Sequence, residues 1–425
     1  MAPVSAAPGA PGAPSASPPP ALPPARARVA TQLSILLLAV VLGMSPWFSA
    51  TVVAQAMAAE WGVGASGGSA IWLTLGVQLG FVIGSTVSAA LLLSDRWRPA
   101  RLAMWSAFLA AAATAALVLP GIRRAGAVGL RISVGVALAG VYPPGIKLAA
   151  GWTTTRRGTA IGALVGGTTL GSAVPHLLAL TVSTTAWRSL VLLAAACAAI
   201  GGVLFGTLVR EGPFQGRSAR FDPRALGQVL RNRGARLASL GYLGHMWELY
   251  AMWSTIGLFW RAAVERYLAP GWLAPTMAFA SIGAGAVGSV VAGRIADSAG
   301  RSNVTIVAMA ISGACAIAIG PALGAPIIVL IVISLVWGAS VVADSAQFSA
   351  AVTEFSPGDY VGTAVTVQTA SGFLLTMVTI RMVPTWVAWW GWEWAYLPLA
   401  IGPILGIGAM WRLRPLERHG RVRHG

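Results

Sequence analysis

Glu248 and His245 lie three residues apart inside one long apolar run, and Asp344 and Gln347 lie inside another. A charge at the centre of a bilayer costs about 2.5–3.5 kcal/mol on insertion scales, so such residues face a cavity or a partner. A carboxyl beside an imidazole in apolar surroundings can carry a proton. Ser340, Asp344 and Gln347 follow an i, i+4, i+7 spacing that predicts one polar stripe on a helix. Arg131 is a further charge within an apolar run, whereas Lys147 lies near the end of one and is expected to snorkel. Glu248, His245 and Asp344 are therefore the candidates for proton coupling, and Arg131 is a further candidate site residue. The competing readings are an interhelical hydrogen bond for Glu248, a gate ion pair for Asp344 and helix-end snorkelling for Arg131.

Neutral polar and aromatic residues could line a substrate cavity. Trp47, Tyr142, Trp247 and Tyr250 offer rings, and Gln78, Thr169, Gln347, Gln368 and Thr369 offer neutral hydrogen bonds. The series Gly158, Gly162 and Gly166, then Thr169, Ser172 and His176, fits close helix packing. No Walker loop, Ser/His/Asp set or metal-ligand spacing occurs, so the sequence predicts neither an enzyme nor a cofactor. Cys197 and Cys315 lie within apolar runs and suit helix packing rather than a disulfide.

The elements that must hold these residues are membrane spans. Of the 425 residues, 56% are hydrophobic and only 10% charged, far below the quarter typical of soluble domains. Runs of about 20 apolar residues recur twelve times, at 33–54, 69–93, 102–119, 124–148, 159–180, 189–209, 237–260, 273–293, 304–320, 326–350, 361–383 and 394–411. The net charge of +17 lies between these runs rather than on one patch, which argues against nucleic acid. Of 29 basic residues, 21 fall on one side of the predicted topology and 5, namely Arg123, Arg124, Arg188, Arg261 and Arg266, on the other. The excess of positive charge predicts that both termini are cytoplasmic in a bacterial inner membrane. Residues 1–30 are Pro/Ala-rich and predict a disordered tail. A six-helix bundle is expected at 31–209, a basic linker at 210–236, a second six-helix bundle at 237–412 and a basic tail at 413–425. The linker could carry an amphipathic helix on the lipid surface. Trp386, Trp389, Trp390, Trp392 and Trp394 are expected around the last outer loop as an interface belt.

An internal repeat supports the division. Asp95 and Asp297 are 202 residues apart, and Gly158-Thr159-Ala160-Ile161 and Gly362-Thr363-Ala364-Val365 are 204 apart, each pair at equivalent places in the halves. The segment Gly293-Arg294-Ile295-Ala296-Asp297-Ser298-Ala299-Gly300-Arg301 resembles the signature loop of the major facilitator superfamily. Its first copy keeps Asp95, Arg96 and Arg101 but lacks both glycines. The resemblance implies a gate built from Asp95, Arg96, Arg101, Gly293, Asp297, Gly300 and Arg301. Arg131 with Gly135 resembles a second motif of that family, linked there to proton coupling. The segments 43–49, 142–147 and 344–349 are loosely similar to its nitrate/nitrite- and cyanate-porter branch. Nitrate itself is not supported, because the second span offers Gln78 and the eighth only Ser281, Gly283 and Gly285 where those porters carry arginines.

The resemblance implies an all-α membrane protein of twelve helices in two pseudo-symmetric bundles. It also implies a monomeric secondary active transporter that moves a small molecule or small anion by alternating access, with protons or a counter-solute. Efflux of drugs or natural products is the alternative within transport; a non-transporting receptor or scaffold is the alternative outside it.

Overall fold

The computed structural model describes residues 26–62, 70–154, 157–182, 186–216, 222, 226–356 and 360–424. Residues 1–25 of the tail expected at 1–30 lie outside the described residues, as do 217–221 and 223–225 of the expected linker, whereas residues 26–30 form the start of a helix. No water reaches the middle of a bilayer, so each apolar run must close its backbone hydrogen bonds internally as a helix. In the first half these are α1 (Arg26–Met44), α2 (Ser49–Val52), α3 (Ala54–Glu60), α4 (Ile71–Ala90), α5 (Leu93–Arg96), α6 (Pro99–Ala115), α7 (Arg124–Leu138), α8 (Tyr142–Ala150), α9 (Arg157–Thr181) and α10 (Trp187–Thr207). After the short α11 (Leu226–Arg231) the second half has α12 (Arg233–Arg266), α13 (Leu273–Ala299), α14 (Arg301–Ala318), α15 (Ile327–Ala343), α16 (Ser345–Phe355), α17 (Val361–Trp394) and α18 (Ile401–His424). They make twelve crossings, because α1–α3, α7–α8 and α15–α16 are each one broken crossing. Ten crossings are long and apolar enough to span a membrane by length and composition. The other two, α12 and α18, are longer or more polar and pack against each other.

Three predicted spans are broken where the sequence analysis has them continuous. The first stops at Met44, ahead of Pro46, and the fourth at Leu138, ahead of Pro143 and Pro144. Proline lacks the N–H and crowds the preceding turn. The tenth breaks at Asp344, so Ser340 and Gln347 lie on different helices and the expected single stripe does not form. Aspartate competes for backbone hydrogen bonds and favours such junctions. The tryptophans expected around an outer loop are helical instead. The helix α17 continues through them to Trp394, bent at Gly391 with φ +68°. Trp389, Trp390 and Trp394 are exposed as an interface belt requires, but Trp386 is buried, and Trp392 packs on Phe259 and Tyr396.

The two halves share their packing rule. Gly135 on α7 and Gly338 on α15 are 203 residues apart. A Cβ at Gly135 would lie 2.1 Å from the Val77 carbonyl oxygen, and one at Gly338 would lie 1.6 Å from that of Ser281. Only glycine allows either pair of helices this close.

Twelve crossings return the chain to the face where it began. That face is called the terminal face here, and the opposite one the distal face. Each half fastens its first crossing to the region where its fifth and sixth crossings meet on the distal rim. Arg188 pairs with Glu60 at 2.5 Å and Arg266 with Glu393 at 2.5 Å, in equivalent places but with the charges exchanged. On the terminal face Arg98 pairs with Glu211 at 3.2 Å, and the Glu417 carboxylate accepts from Arg301 N at 2.8 Å and Ser302 N at 3.1 Å.

Arg188 hydrogen-bonds the exposed Glu60 and holds its carboxyl below the usual carboxylate range. Stability from this pair is present above the unfolded-state pKa and is lost as the pH falls through the lowered value. Exposed pairs contribute little. Glu60→Gln is therefore expected to lower the melting temperature of the purified protein by no more than about 2 °C at pH 7, and the gap should close in acid. A drop several times larger would show that the distal rim is structural.

Candidate functional site

The junction of the halves is filled by rings. Trp47 from the break after α1 stacks 5.1 Å from Phe81 of α4, 5.7 Å from Tyr250 of α12 and 5.9 Å from Phe373 of α17. Phe81 and Phe373 meet across the halves at 4.5 Å, and Phe48 lies 6.2 Å from Trp253. Such tilted and edge-on contacts are favourable, but they leave the indole N–H groups needing partners. Among the described residues Trp47 Nε1, Trp253 Nε1 and both side-chain amide atoms of Gln78 and Gln368 are buried without one. An orphaned buried donor or acceptor costs about 1–3 kcal/mol. Such atoms occur on α4, α12, α17 and the break after α1, the elements whose rings meet at the junction.

Of the other cavity candidates, Tyr142 is half-buried at the start of α8, and Gln347 accepts from Arg301 Nη1 at 3.0 Å on the terminal side. Thr169 is buried with its hydroxyl donating to its own helix at Val165 O, 2.9 Å away, and Thr369 is half-buried on α17. Trp247 points away from the junction, its Nε1 donating to Pro398 O at 3.0 Å. It lies three residues from Tyr250, yet its ring faces α18.

The titratable candidates are all fully buried, but not between the halves. Glu248 sits inside the second half. Trp337 Nε1 of α15 donates to its Oε1 at 2.5 Å, and Ser312 Oγ of α14 donates to its Oε2 at 2.9 Å. A hydroxyl can reverse and accept, so the carboxyl stays hydrogen-bonded whether or not Oε2 carries a proton. His245, one turn earlier, faces the break between α15 and α16. Its Nδ1 lies 2.8 Å from Asp344 Oδ1 and its Nε2 2.9 Å from Ser345 Oγ. This Asp–His–Ser row can also hold a proton and pass it on.

Arg131 is fully buried and pairs with no carboxylate among the described residues. Its Nε donates to Leu73 O at 3.0 Å and its Nη1 to Pro46 O at 2.9 Å, while Nη2 donates to Trp47 O. Nη1 also reaches Ser49 Oγ at 3.4 Å. The guanidinium therefore ties the break after α1 to the first turn of α4, taking the Trp47 carbonyl and adding a donor to Pro46 O, which also accepts from Ser49 N and Ser49 Oγ. It does not snorkel to a helix end.

The gate residues form two unlike latches. In the first half Lys147 Nζ, expected to snorkel, pairs with Asp95 and donates to Ser94 O at 2.8 Å. Arg96 and Arg101 are exposed. In the second half Arg301 binds Glu354 at 2.7 Å as well as Gln347. Gly300 has φ +91°, which needs glycine, and Gly293 is buried against Gly158. The side chain of Asp297 lies outside the described residues.

The terminal-side ends of α9 and α13 close the junction. A Cβ at Gly162 would lie 2.8 Å from Ser289 O, and Ser289 Oγ donates to Gly162 O at 3.0 Å. On the distal side the same helices diverge around a cavity of about 230 Å³ lined by residues of both halves, among them His176 and Arg261. From sequence His176 is expected in helix packing and Arg261 on the outer side.

Comparison with known proteins agrees with this architecture. The Major Facilitator Superfamily model matches residues 35–379. No curated protein matches the chain. A proton:xylose symporter, XylE, bound to 6-bromo-6-deoxy-D-glucose is 14% identical, with TM-score 0.67 over 91% of this chain and 96% of that one. A D-xylose-proton symporter structure is 15% identical, with TM-score 0.68 over 89% and 97%. The partially occluded inward-open xylose transporter XylE from E. coli is 14% identical, with TM-score 0.67 over 91% and 98%. These likenesses are of fold, and they lend nothing to the nitrate and cyanate branch. Twelve helices in two repeated halves, with a family match over most of the chain, identify a transporter rather than an enzyme: the chain belongs to the Major Facilitator Superfamily.

Proposed function

We propose that the chain is a proton-coupled secondary transporter that moves a small solute across a bacterial inner membrane by alternating access, as a monomer with its terminal face in the cytoplasm. The observation that carries this reading is the set of orphaned polar atoms of Trp47, Gln78, Trp253 and Gln368 among stacked rings at the junction of the halves. A solute bound there would satisfy them and would be exposed to alternate faces as the halves rock. The sealed terminal side and the distal cavity fit an outward-facing state. Glu248 and the His245–Asp344 pair supply proton sites one helix layer behind the rings, and sugar–proton symport by proteins of the same fold is compatible with that role. The ring cluster also favours a second reading, efflux of an apolar natural product by proton antiport through the same site.

The test is flux in proteoliposomes. Glu248→Gln keeps the hydrogen bond from Trp337 and can donate to the Ser312 hydroxyl, but cannot carry a proton. It is expected to abolish accumulation driven by an imposed pH gradient, a loss of about tenfold or more, while leaving solute exchange at equal pH. Intact proton-driven accumulation in this variant would remove Glu248 from the mechanism. An inward proton gradient that drives solute out of right-side-out vesicles would select the efflux reading.

A further inference from the structure

The distal cavity has a chemistry of its own. The first half contributes Thr51, Val52 and His176, and the second contributes Ser254, Leu258 and Arg261. Arg188 and Arg266, on the same rim, are each neutralised by a glutamate. Arg261 is not. Its Nη1 hydrogen-bonds the neutral amide oxygen of Gln55 at 3.1 Å, across the gap between the halves. Glu265, one turn further along α12, is exposed and forms no ion pair among the described residues. No carboxylate lines the cavity among the described residues.

His176 is a second unusual wall residue. It is 7% exposed, and its ring nitrogens have no hydrogen-bond partner among the described residues. The ring packs over Gly257, where a Cβ would lie 2.9 Å from His176 Cε1. The imidazole is thus wedged between the halves beside a half-buried guanidinium. The Ser254 hydroxyl, which donates to Ala251 O at 3.1 Å, can turn toward the same space. Val52 and Leu258 supply apolar wall. A guanidinium with unused donors recognises a planar carboxylate in a fork geometry, and the adjoining apolar wall suits a short carbon body.

We infer that this cavity is a recognition site for small organic monocarboxylates, with Arg261 gripping the carboxylate and His176 donating a neutral hydrogen bond beside it. The inference rests on the reading of the chain as a solute transporter and narrows its substrate class. Arg131 cannot serve this purpose, because backbone carbonyls enclose its guanidinium, and Arg381 is exposed on α17. A carboxylate held at Arg261 would lie on the distal approach to the ring cluster, with groups from both halves around it.

The test is binding, measured by calorimetry and melting temperature on the full chain in detergent. The probes are sodium pyruvate and sodium isobutyrate, their uncharged amides, and sodium nitrate at matched ionic strength. Both carboxylates should bind saturably and raise the melting temperature, and the amides should not. Arg261→Gln should weaken carboxylate binding by about tenfold or more, Arg261→Lys by less, and His176→Asn by a few-fold. Carboxylates binding no better than their amides would overturn the proposal. So would unaltered binding in Arg261→Gln, or nitrate binding as tightly as the carboxylates. The measurement needs no flux. Carboxylate binding without transport would therefore sink the transport reading alone, whereas transport of a neutral solute by a chain indifferent to these anions would sink this one.

Discussion

Arg131→Gln is expected to destabilise the first half by about 1–3 kcal/mol, seen as a lower melting temperature and less folded protein. The argument is one of unsatisfied acceptors. The guanidinium of Arg131 is buried and supplies hydrogen bonds to Pro46 O, Trp47 O and Leu73 O. Pro46 O also accepts from Ser49 N at 3.3 Å and Ser49 Oγ at 2.9 Å, and Leu73 O lies in the first turn of α4, so Trp47 O is the acceptor with no other partner among the described residues. Glutamine has one amide nitrogen and cannot span three oxygens on two helices. A buried carbonyl left dry costs about 1–3 kcal/mol, and the break also loses its tie to α4. Arg131→Lys should recover part of the loss, since an ammonium has three donors but not the planar fork. The same break carries Trp47 and Phe48 into the ring cluster, so transport should fall with stability. A stable Arg131→Gln protein that loses only proton coupling would refute the clamp and restore Arg131 to the proton path that its motif suggests.

The contrast between Arg131 and Asp95 shows what the sequence makes visible. The repeat at 202 to 204 residues was readable from two short matches, and the structure extends it to Gly135 and Gly338 and to the exchanged ion pairs of the distal rim. Apolar length and basic asymmetry are local quantities, so twelve crossings could be counted from them. The breaks at Pro46 and at Pro143 were signalled by the prolines themselves and lost by scanning for unbroken length. The break at Asp344 carries only the weak signal of an aspartate within an apolar run. Partners are another matter. Nothing in the types of Leu73, Pro46 and Trp47 announces that their carbonyls will receive an arginine, because every residue has a carbonyl. Lys147 finds Asp95, and Glu248 finds Trp337, only after helices distant in sequence are laid side by side. Periodicity placed Trp247 and Tyr250 on the same helix but could not say which faces the other half. Arg261 was visible as an outer arginine. Its lack of an acidic partner became visible only when the neighbouring arginines were seen to have theirs.

Gly162→Val is expected to open the terminal face. The seal depends on α9 and α13 touching backbone to backbone: Ser289 O lies 2.8 Å from where a Cβ at Gly162 would stand, and Gly158 O lies 3.0 Å from one at Gly293. The obstructing atom is a helix carbonyl, which cannot swing aside as a side chain can. A valine must push the two helices apart, and it also disrupts the bond from Ser289 Oγ to Gly162 O. Overpacking of this kind costs about 1–3 kcal/mol. The cost falls on the terminal-closed state alone, because the helices separate there when the halves rock the other way. An energy of that size, applied to one of two states, changes their ratio by roughly 5- to 150-fold. The measurement is the distance between spin labels at Thr154→Cys and Ser298→Cys, one on each half at the terminal face. The distribution should lengthen in Gly162→Val and shorten again if a distal ligand favours the closed seal. Gly408→Val is the control, since nothing lies within 4 Å of a Cβ at that site. An unchanged distribution in Gly162→Val, with the fold intact, would mean that the contact between α9 and α13 is a fixed joint and that the halves open elsewhere.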